Sequence, residues 1–362
     1  MISPLDRLFL ERTYELAARG IGNTSPNPPV GAVVVLDSQV LGEGFHHRAG
    51  EPHAEINALA AAGDARGATV YVSLEPCLHV GRTPPCTDAL LAAGVKRIVA
   101  GTLDPTAHGG AALLRECGVD VDVANDVRAR ELIDVFVKTI GGKRSYVALK
   151  MAMSLDGYVA SRAGAAEWIG CDEERLYVRD LRIAYDAVMV GAGTVRIDDP
   201  QLTVRPPATR LRDFVRIIAC ERDGVPLDRR VFAPLPGYAP TIVLAPGGAG
   251  PRFRALESVA EVIYVGAADV QELDLEQALC ALHERGIMSV LCEGGPTLAA
   301  RLIGEGLADR LYWAISPVLL HSASAVSVLG GARLEGALRP LQFDRIERVG
   351  CDAILIGRFA DV

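Results

Sequence analysis

One histidine and two cysteines of this 362-residue chain have the types and the order of a metal site. His53 begins the run His53-Ala54-Glu55, Cys77 follows a proline, and Cys86 lies nine positions after Cys77. A ring nitrogen and two thiolates suit Zn²⁺, and three protein ligands leave the fourth position open, as in catalytic zinc sites. Water at such a position becomes a nucleophile near neutral pH. The pattern therefore predicts one catalytic Zn²⁺ per chain, held by His53, Cys77 and Cys86.

Glu55 lies two residues after the histidine, where it can move protons beside that water. A His-x-Glu followed later by Pro-Cys is the pattern of zinc nucleobase deaminases, in which the Glu is the acid/base group and not a ligand. Those enzymes usually have Cys-x-x-Cys, whereas eight residues separate Cys77 from Cys86 here. A structural zinc site would need a fourth protein ligand, and His79 is the competitor for that place. We therefore predict hydrolytic deamination with Glu55 as a catalytic residue.

The remaining six cysteines stand mostly in apolar stretches of the sequence. A free cysteine commonly behaves as a small hydrophobic residue. We therefore expect buried thiols without a chemical role at Cys117, Cys171, Cys220, Cys280, Cys292 and Cys351.

The composition restricts the class of protein. The length predicts two domains, and a hydrophobic fraction of 50% excludes a disordered chain. With 37 basic and 45 acidic residues the net charge is −8, and only 5% of residues are aromatic. Such a chain repels the phosphate backbone, so a nucleic-acid deaminase or binding module is the disfavoured alternative. Residues 1–20 are expected to form an amphipathic helix rather than a signal peptide, and no apolar run is long enough for a membrane span. We expect a cytoplasmic protein with neither nucleic acid nor a membrane as partner.

The first part of the chain alternates strand and helix patterns. Strands are predicted at 30–36, 39–45, 68–74, 97–103 and 118–124, and helices at 53–62, 87–93, 111–117 and 127–138. This alternation predicts an α/β domain with a largely parallel sheet and helices on both faces. It also places His53 and Glu55 at one helix start and the two cysteines at or just before the next, where free N–H groups favour thiolates. The run Gly141-Gly142-Lys143-Arg144 reads as a linker between domains 1–142 and 146–362.

Glycine-rich loops follow three predicted strands in the second part. They are Ser154-Leu155-Asp156-Gly157, Gly191-Ala192-Gly193-Thr194 and Glu293-Gly294-Gly295-Pro296-Thr297. The last one opens a helix, where backbone N–H groups can approach a phosphate. None is the dinucleotide Gly-x-Gly-x-x-Gly fingerprint. Each loop alone is better explained by turn formation than by ligand binding.

Together, the motifs of both parts resemble the bifunctional deaminase/reductase family of riboflavin biosynthesis. The resemblance covers nearly the whole chain. It is carried by Pro26-Asn27-Pro28-Pro29-Val30-Gly31, His53-Ala54-Glu55, the long spacing of Cys77 and Cys86, Lys150, the three loops above, Trp168-Ile169, Asp198-Asp199-Pro200 and Leu202-Thr203-Val204-Arg205.

The resemblance implies a fold and a set of sites. The fold is a cytidine-deaminase-like α/β/α domain followed by a dihydrofolate-reductase-like α/β domain that uses NADPH, in a homo-oligomer. The positions that match the family's NADPH contacts are Met153, Trp168, Thr194, Asp198, Gly295, Pro296 and Thr297. Those that match its substrate contacts are Asn27, His46, His79 and Arg82 in the first domain, and Arg182, Leu202, Arg205 and Glu293 in the second. Lys150 and Asp198 are the catalytic candidates of the reductase.

The implied substrate is a pyrimidine ribotide that undergoes two successive reactions. Hydrolytic deamination turns a diaminopyrimidinone into an aminouracil, and NADPH then reduces the ribosyl group to a ribityl chain. Three places depart from the family pattern: Ala166-Glu167 before the Trp-Ile pair, Ala219-Cys220 at a strand end, and a short 104–109 loop. These departures leave open a paralogue that uses the same or a related ribotide in a specialised pathway, for example to a pteridine-like antibiotic, with an altered reductase.

Overall fold

The computed structural model describes residues 2–78, 84–106, 109–165, 168–204, 212–221, 224–330 and 340–359. By its internal contacts the chain divides into two compact units, Met1–Gly142 and Lys143–Val362. Among the described residues, no helix is both long and apolar enough to cross a bilayer.

The first unit alternates strands and helices after an initial helix. Its helices are α1 (Pro4–Ala18), α2 (Ala54–Ala62), α3 (Cys86–Ala92), α4 (Gly110–Glu116) and α5 (Val127–Gly141). Its strands are β1 (Gly31–Leu36), β2 (Gln39–Phe45), β3 (Thr69–Val72), β4 (Arg97–Ala100) and β5 (Asp120–Val123).

The described strands of this unit form one sheet in the order β2-β1-β3-β4-β5. Successive strand residues point to opposite faces, so β1 contributes side chains to two cores. Val33 and Val35 pack with α1 and α5, whereas Ala32 and Val34 pack with α2 and α3. The three-layer α/β/α architecture is therefore as expected.

The pairing of β1 with β3 differs from the expected parallel sheet, whereas the Asp37-Ser38 turn predicts an antiparallel β1–β2 hairpin. β3, β4 and β5 are mutually parallel, but β1 pairs antiparallel with both β2 and β3. Half of the strand pairings described in this sheet are thus antiparallel, because the hairpin and the following crossover leave β1 running against its two neighbours.

The second unit is larger and is also α/β. Its strands are β6 (Tyr146–Ser154), β7 (Tyr158–Ala160), β8 (Ala187–Gly191), β9 (Val215–Ala219), β10 (Ile242–Pro246), β11 (Glu261–Val265), β12 (Ser289–Cys292), β13 (Arg310–Ser316), β14 (Val326–Ser327), β15 (Leu341–Val349) and β16 (Asp352–Phe359). Its helices are α6 (Asp172–Ala184), α7 (Ala192–Asp198), α8 (Pro251–Leu256), α9 (Leu275–Glu284) and α10 (Pro296–Gly304).

The main sheet of the second unit has the order β11-β10-β9-β8-β12-β6-β13-β16-β15 in the described part of the chain. Its strands are parallel except for β16, which runs antiparallel to β13 and β15. The buried strands are apolar on both faces, one packing with α9 and α10 and the other with α7 and α8. The carboxyl ends of β8, β9 and β12 consequently meet at one edge, where open α/β sheets bind ligands.

Candidate functional site

The structure brings the three expected zinc ligands together in the first unit. His53 caps the start of α2, Cys86 is the first residue of α3, and Cys77 lies in the loop before it. His53 Nδ1 lies 3.2 Å from Cys86 Sγ and 3.5 Å from Cys77 Sγ. Nitrogen and sulfur ligands of one tetrahedral Zn²⁺ lie roughly 3.6 Å apart. The donor set therefore fits zinc in both chemistry and spacing.

The surroundings of Cys77 and Cys86 favour negative charge on sulfur and so favour a bound cation. The hydrogen bond from the Cys86 thiol lowers the pKa of Cys77 to about 4, against the effect of burial, and His53 lowers it further. The Cys86 backbone N–H also donates to Cys77 Sγ at 3.3 Å. Fixed donors at the start of α3 thus stabilise negative charge on the sulfur that faces His53.

Glu55 lies in the first turn of α2, two residues after His53, and is only 3% exposed. Burial raises the pKa of its carboxyl group to about 7, although its own backbone N–H opposes that effect. A carboxyl group of this kind can both accept and return protons near neutral pH. Its environment suits the acid/base role expected from the sequence.

Asn27 and His46 lie together beside the cluster. The His46 ring packs edge-on to the His53 ring with 5.2 Å between centroids. Because the Pro52 carbonyl can only accept, His46 Nδ1 carries the proton toward it, at 3.1 Å. Nε2 is then free to accept from Asn27 Nδ2, also at 3.1 Å. Burial lowers the pKa of His46, which agrees with this neutral tautomer.

Glu75 supports the cysteine loop, although no sequence motif predicts this role. Its two carboxylate oxygens accept from the backbone N–H groups of Asp104, at 3.1 Å, and Ala111, at 2.8 Å. Glu75 thereby fixes the loop before α4 against the segment that carries Cys77. Its one sequence signal is its place directly before Pro76-Cys77.

A cavity of about 760 Å³ opens at the sheet edge of the second unit. The size suits a dinucleotide-sized ligand. It is lined by most of the residues expected to contact NADPH, together with one expected substrate residue and the reductase lysine: Trp168, Thr194, Asp198, Gly295, Pro296, Thr297, Glu293 and Lys150. Met153 is not among the described residues that line the cavity. It lies on β6, and its Sδ accepts from Trp313 Nε1 at 3.1 Å.

The glycine loop before α10 forms part of the cavity wall. Gly294 and Gly295 have φ of 98° and 89°, a conformation that favours glycine. A Cβ on Gly295 would lie 3.2 Å from Thr194 Oγ1. The loop therefore presents bare backbone beside the Thr194 hydroxyl, as a phosphate or ribose contact requires.

Lys150 points into the cavity from the centre of the sheet. Its Nζ lies 2.8 Å from Glu174 Oε1, and both side chains are buried. The Trp168 ring is contacted by Lys150 Nζ at 5.3 Å and by Arg175 Cζ at 4.6 Å from the ring centroid. Glu174 was not found from the sequence, because an acidic residue in a first helical turn is normally explained by the helix dipole.

Asp198 lies at the end of α7 and lines the same cavity. Burial raises the pKa of its carboxyl group. A protonated carboxyl group beside a reacting nitrogen can serve as a proton donor.

Arg182 and Glu293 form a partly buried, forked ion pair. Arg182 Nη2 donates to Glu293 Oε2 at 2.6 Å, its Nε donates to the other oxygen, and its Nη1 donates to the Thr203 carbonyl at 2.6 Å. The preceding residue, Leu202, is buried and has φ of 52°, which is strained for a non-glycine residue. Arg182 thus holds the Leu202–Thr203 segment and orients Glu293 toward the cavity.

Comparisons with known proteins agree over both units. The family model described as the RibD C-terminal domain matches residues 145–355. The model of the cytidine and deoxycytidylate deaminase zinc-binding region matches residues 4–102. The riboflavin biosynthesis proteins RibD of Aquifex aeolicus and Escherichia coli are each 38% identical to the chain, covering 98% and 97% of it and 99% and 98% of their own lengths.

Solved structures agree as well. A diaminohydroxyphosphoribosylaminopyrimidine deaminase/5-amino-6-(5-phosphoribosylamino)uracil reductase from Thermotoga maritima matches with a TM-score of 0.82 and 35% identity, over 98% of this chain and 99% of that one. Acinetobacter baumannii RibD matches with a TM-score of 0.81 and 32% identity, over 99% of each chain.

The chain belongs to the RibD family.

Membership in the RibD family confirms the bifunctional deaminase/reductase resemblance and the fold class of both domains. It favours the riboflavin-pathway enzyme over the specialised paralogue and over a nucleic-acid deaminase.

Two of the departures from the RibD pattern can be placed. Ala219 lines the cavity, whereas Cys220 is buried in the core on the other face of β9, where burial raises its pKa to about 12. The shortened loop is closed by Asp104, whose Oδ1 accepts from the backbone N–H and hydroxyl of Thr106. Ala166 and Glu167, and the expected substrate residues His79, Arg82 and Arg205, lie outside the described residues.

The expectation of buried thiols was wrong at two positions. Cys220 and Cys292 are buried and Cys171 and Cys280 are half-buried, but Cys117 and Cys351 are exposed.

Proposed function

We propose that this chain catalyses two successive steps of riboflavin biosynthesis on one pyrimidine ribotide. Residues 1–142 deaminate a diaminopyrimidinone to an aminouracil, and residues 146–362 reduce the ribosyl group to a ribityl chain with NADPH. One observation carries the proposal. The chain combines a His-Cys-Cys donor cluster beside a buried Glu in one unit with a dinucleotide-sized cavity in the other.

In the deaminase, His53, Cys77 and Cys86 hold the metal. When bound, zinc supplies the positive charge that brings the pKa of a water molecule near neutrality. Glu55 accepts a proton from the attacking water and returns protons to the ring nitrogen and to the departing ammonia. Asn27 holds the pyrimidine through its amide, which His46 orients by accepting one N–H. His79 and Arg82 are assigned to the ribose phosphate from their family positions.

In the reductase, Trp168, Thr194 and the Gly295-Pro296-Thr297 loop would hold the cofactor. When bound, NADPH would supply the hydride that reduces C1′ of the ring-opened imine. Asp198 donates the proton that activates the imine nitrogen, and Lys150 supplies a fixed positive charge.

The substrate is positioned by a further group of reductase residues. Glu293 and the strained Leu202 hold its polar and apolar parts. Arg182 positions both of them, and Arg205 is assigned to the phosphate from its family position. Met153 supports the cofactor through its contact with Trp313, which lies behind the cavity wall.

We assign these reactions to a cytoplasmic homo-oligomer. A reducing compartment suits thiolate zinc ligands, because it keeps cysteines from forming disulfides. β15 is at an edge of the described sheet and exposes the apolar side chains of Phe343 and Ile346. An exposed edge strand of this kind is suited to pairing with another copy. Light scattering of the purified protein measures the assembly directly.

A two-step assay tests the proposal. Purified full-length protein is incubated with Zn²⁺ and the diaminopyrimidine ribotide, first without and then with NADPH. We expect ammonia release in both cases and NADPH oxidation only after deamination. Ammonia release with no subsequent NADPH oxidation would contradict the reductase assignment, and failure to release ammonia from zinc-loaded protein would contradict the deaminase assignment.

A further inference from the structure

A second group of sulfur and oxygen donors lies in the reductase unit, outside the cavity lining. The thiols of Cys171 and Cys351 and a carboxylate oxygen of Asp352 all lie within 4.8 Å of one another. Cys351 Sγ is 3.5 Å from Asp352 Oδ1. Sulfur and oxygen ligands of one tetrahedral zinc ion lie roughly 3.6 Å apart. The three donors are therefore spaced as ligands of one ion.

The fold builds this cluster from two distant segments. Cys171 caps the start of α6, and its N–H donates to Asp352 Oδ2 at 2.9 Å. Cys351 lies in the two-residue turn that joins β15 to β16, directly after Gly350. Gly350 has φ of 58°, and a Cβ there would be 2.7 Å from Cys171 Sγ. A glycine at this position lets the turn close onto the thiol.

The charges around Asp352 point to a cation. Asp352 is only 1% exposed. Within the described ranges, no Lys, Arg or His forms an ion pair with its carboxylate. Glu174 is also fully buried. It lies near Asp352, because a Cβ on Gly170 would be 2.6 Å from Glu174 Oε2 and 3.0 Å from Asp352 Oδ2. Lys150 pairs with Glu174. A buried carboxylate is costly without a paired cation, and Asp352 has none among these neighbours.

We propose that Cys171, Cys351 and Asp352 form a second metal site, which takes a thiophilic divalent cation of the zinc class. Two thiolates and a carboxylate are suitable ligands for such an ion. Exposure of Cys351 gives the ion an entry path and leaves a remaining position to solvent. Oxidation of Cys171 and Cys351 to a disulfide would remove the thiol that donates to Asp352 and would leave this carboxylate without a cation. The cluster therefore favours metal binding over a disulfide.

The site has a consequence for the reductase cavity. Trp168, Ile169 and Gly170 line the cavity immediately before Cys171. A cation bound to Cys171 and Cys351 ties the start of α6 to the β15–β16 turn. It therefore fixes the end of that wall segment, and we expect the bound ion to raise the unfolding temperature of the reductase unit.

Metal stoichiometry of the full-length protein tests the proposal. Wild type, Cys351→Ser and the control Cys117→Ser are loaded with Zn²⁺ in a reducing buffer, desalted and measured by mass spectrometry of the metal. Cys117 is also exposed but has no place in the cluster. We expect two ions in wild type and Cys117→Ser and one in Cys351→Ser.

Cd²⁺ then locates the second ion. In a Cys77→Ser background, which lacks the deaminase ligand set, Cd²⁺ should still give a thiolate charge-transfer band that Cys351→Ser abolishes and Cys117→Ser retains. Circular dichroism verifies that each variant is folded. Equal metal content in folded wild type and Cys351→Ser would overturn the proposal, as would a Cys171–Cys351 disulfide that persists in the reducing buffer. Either result leaves the deaminase and reductase assignments untouched.

Discussion

Three carboxyl groups of the two units differ in what surrounds them. Glu75 accepts two backbone N–H groups and is held as a structural support. Glu55 is raised in pKa to about 7 mainly by burial, and Asp198 is raised by burial as well. Desolvation favours the protonated form of a carboxyl group, whereas the oxygens of Glu75 are occupied by fixed backbone donors. Proton transfer is therefore expected from Glu55 and Asp198 and not from Glu75.

Glu55→Gln should abolish most of the deaminase activity. The substitution keeps the size of the side chain and all three zinc ligands but removes the group that moves protons. We expect ammonia release to fall by about 10² to 10⁴-fold, with zinc content unchanged and normal reduction of the deaminated intermediate. Glu51→Gln, in the surface pair with Arg48, is the matched control and should retain full activity. Near-normal ammonia release from Glu55→Gln would remove Glu55 from the mechanism.

Asp198→Asn should impair the reductase alone. We expect its rate to fall by about 10²-fold or more, while NADPH binding, followed by cofactor fluorescence, changes little. In wild type the proton is lost as pH rises through the raised pKa of Asp198, so the rate should fall on that alkaline side. The variant should lack this pH dependence.

The neighbouring Asp199→Asn is the control for Asp198→Asn, because Asp199 pairs with Arg230 instead of lining the cavity. If both variants lose the same activity, or if Asp198→Asn keeps the alkaline fall, the proton donor is another group.

At the scale of helices and strands, the sequence predicts elements better than it predicts their partners. The alternation of patterns places α2 and α3 within one or two residues of their observed starts, and with them the zinc ligands. It does not reveal that β1 runs against β3, because periodicity carries no information about strand direction. It also misses β15, whose residues Asp344, Arg345, Glu347 and Arg348 have the polarity of an exposed edge strand. The pairing of Glu174 with Lys150 is not predicted either, because the two residues lie on different elements and no local pattern joins them.

Gly110→Ala should weaken the zinc site through backbone packing. Gly110 begins α4, and a Cβ there would lie 2.0 Å from the Pro76 carbonyl oxygen, one residue before Cys77. The clash must move either α4 or the cysteine loop, at a cost of about 1–3 kcal/mol. We expect a lower unfolding temperature of the first unit and weaker zinc retention in a competition with a chelator.

Gly141→Ala is the matched control for Gly110→Ala. Gly141 is the last residue of α5, and a Cβ there meets no atom within 4 Å. It should leave zinc retention unchanged and alter stability by less than about 1 kcal/mol. Equal zinc retention in the two variants would show that the Pro76 contact does not position Cys77.

At the scale of the molecule, the two proposed reactions divide along the two units. The four core clusters each belong to one unit, two in Met1–Gly142 and two in Lys143–Val362. The zinc cluster lies wholly in the first and the cavity wholly in the second. Length and the Gly141-Gly142-Lys143-Arg144 run predict two domains. The cavity could be predicted only from the family resemblance, because its residues come from six or more separate elements and no local pattern joins them.

Separation of the two activities is the last prediction. Cys77→Ser removes a zinc ligand and should abolish zinc binding at the deaminase cluster together with ammonia release. NADPH oxidation on the aminouracil ribotide should remain largely intact, because the cavity shares no core residue with the zinc cluster. A fragment that ends at Gly142 should deaminate, and one that starts at Lys143 should bind NADPH, since each retains its own core.

The measurements are ammonia release, NADPH oxidation and circular dichroism on the same preparations. Cys117→Ser, which changes an exposed residue of the first unit, controls for loss of a thiol. A folded Cys77→Ser protein that has also lost its reductase would show that the sites are coupled. Fragments that fail to fold while the full chain folds would show that each core depends on the other, and both results would contradict independent units.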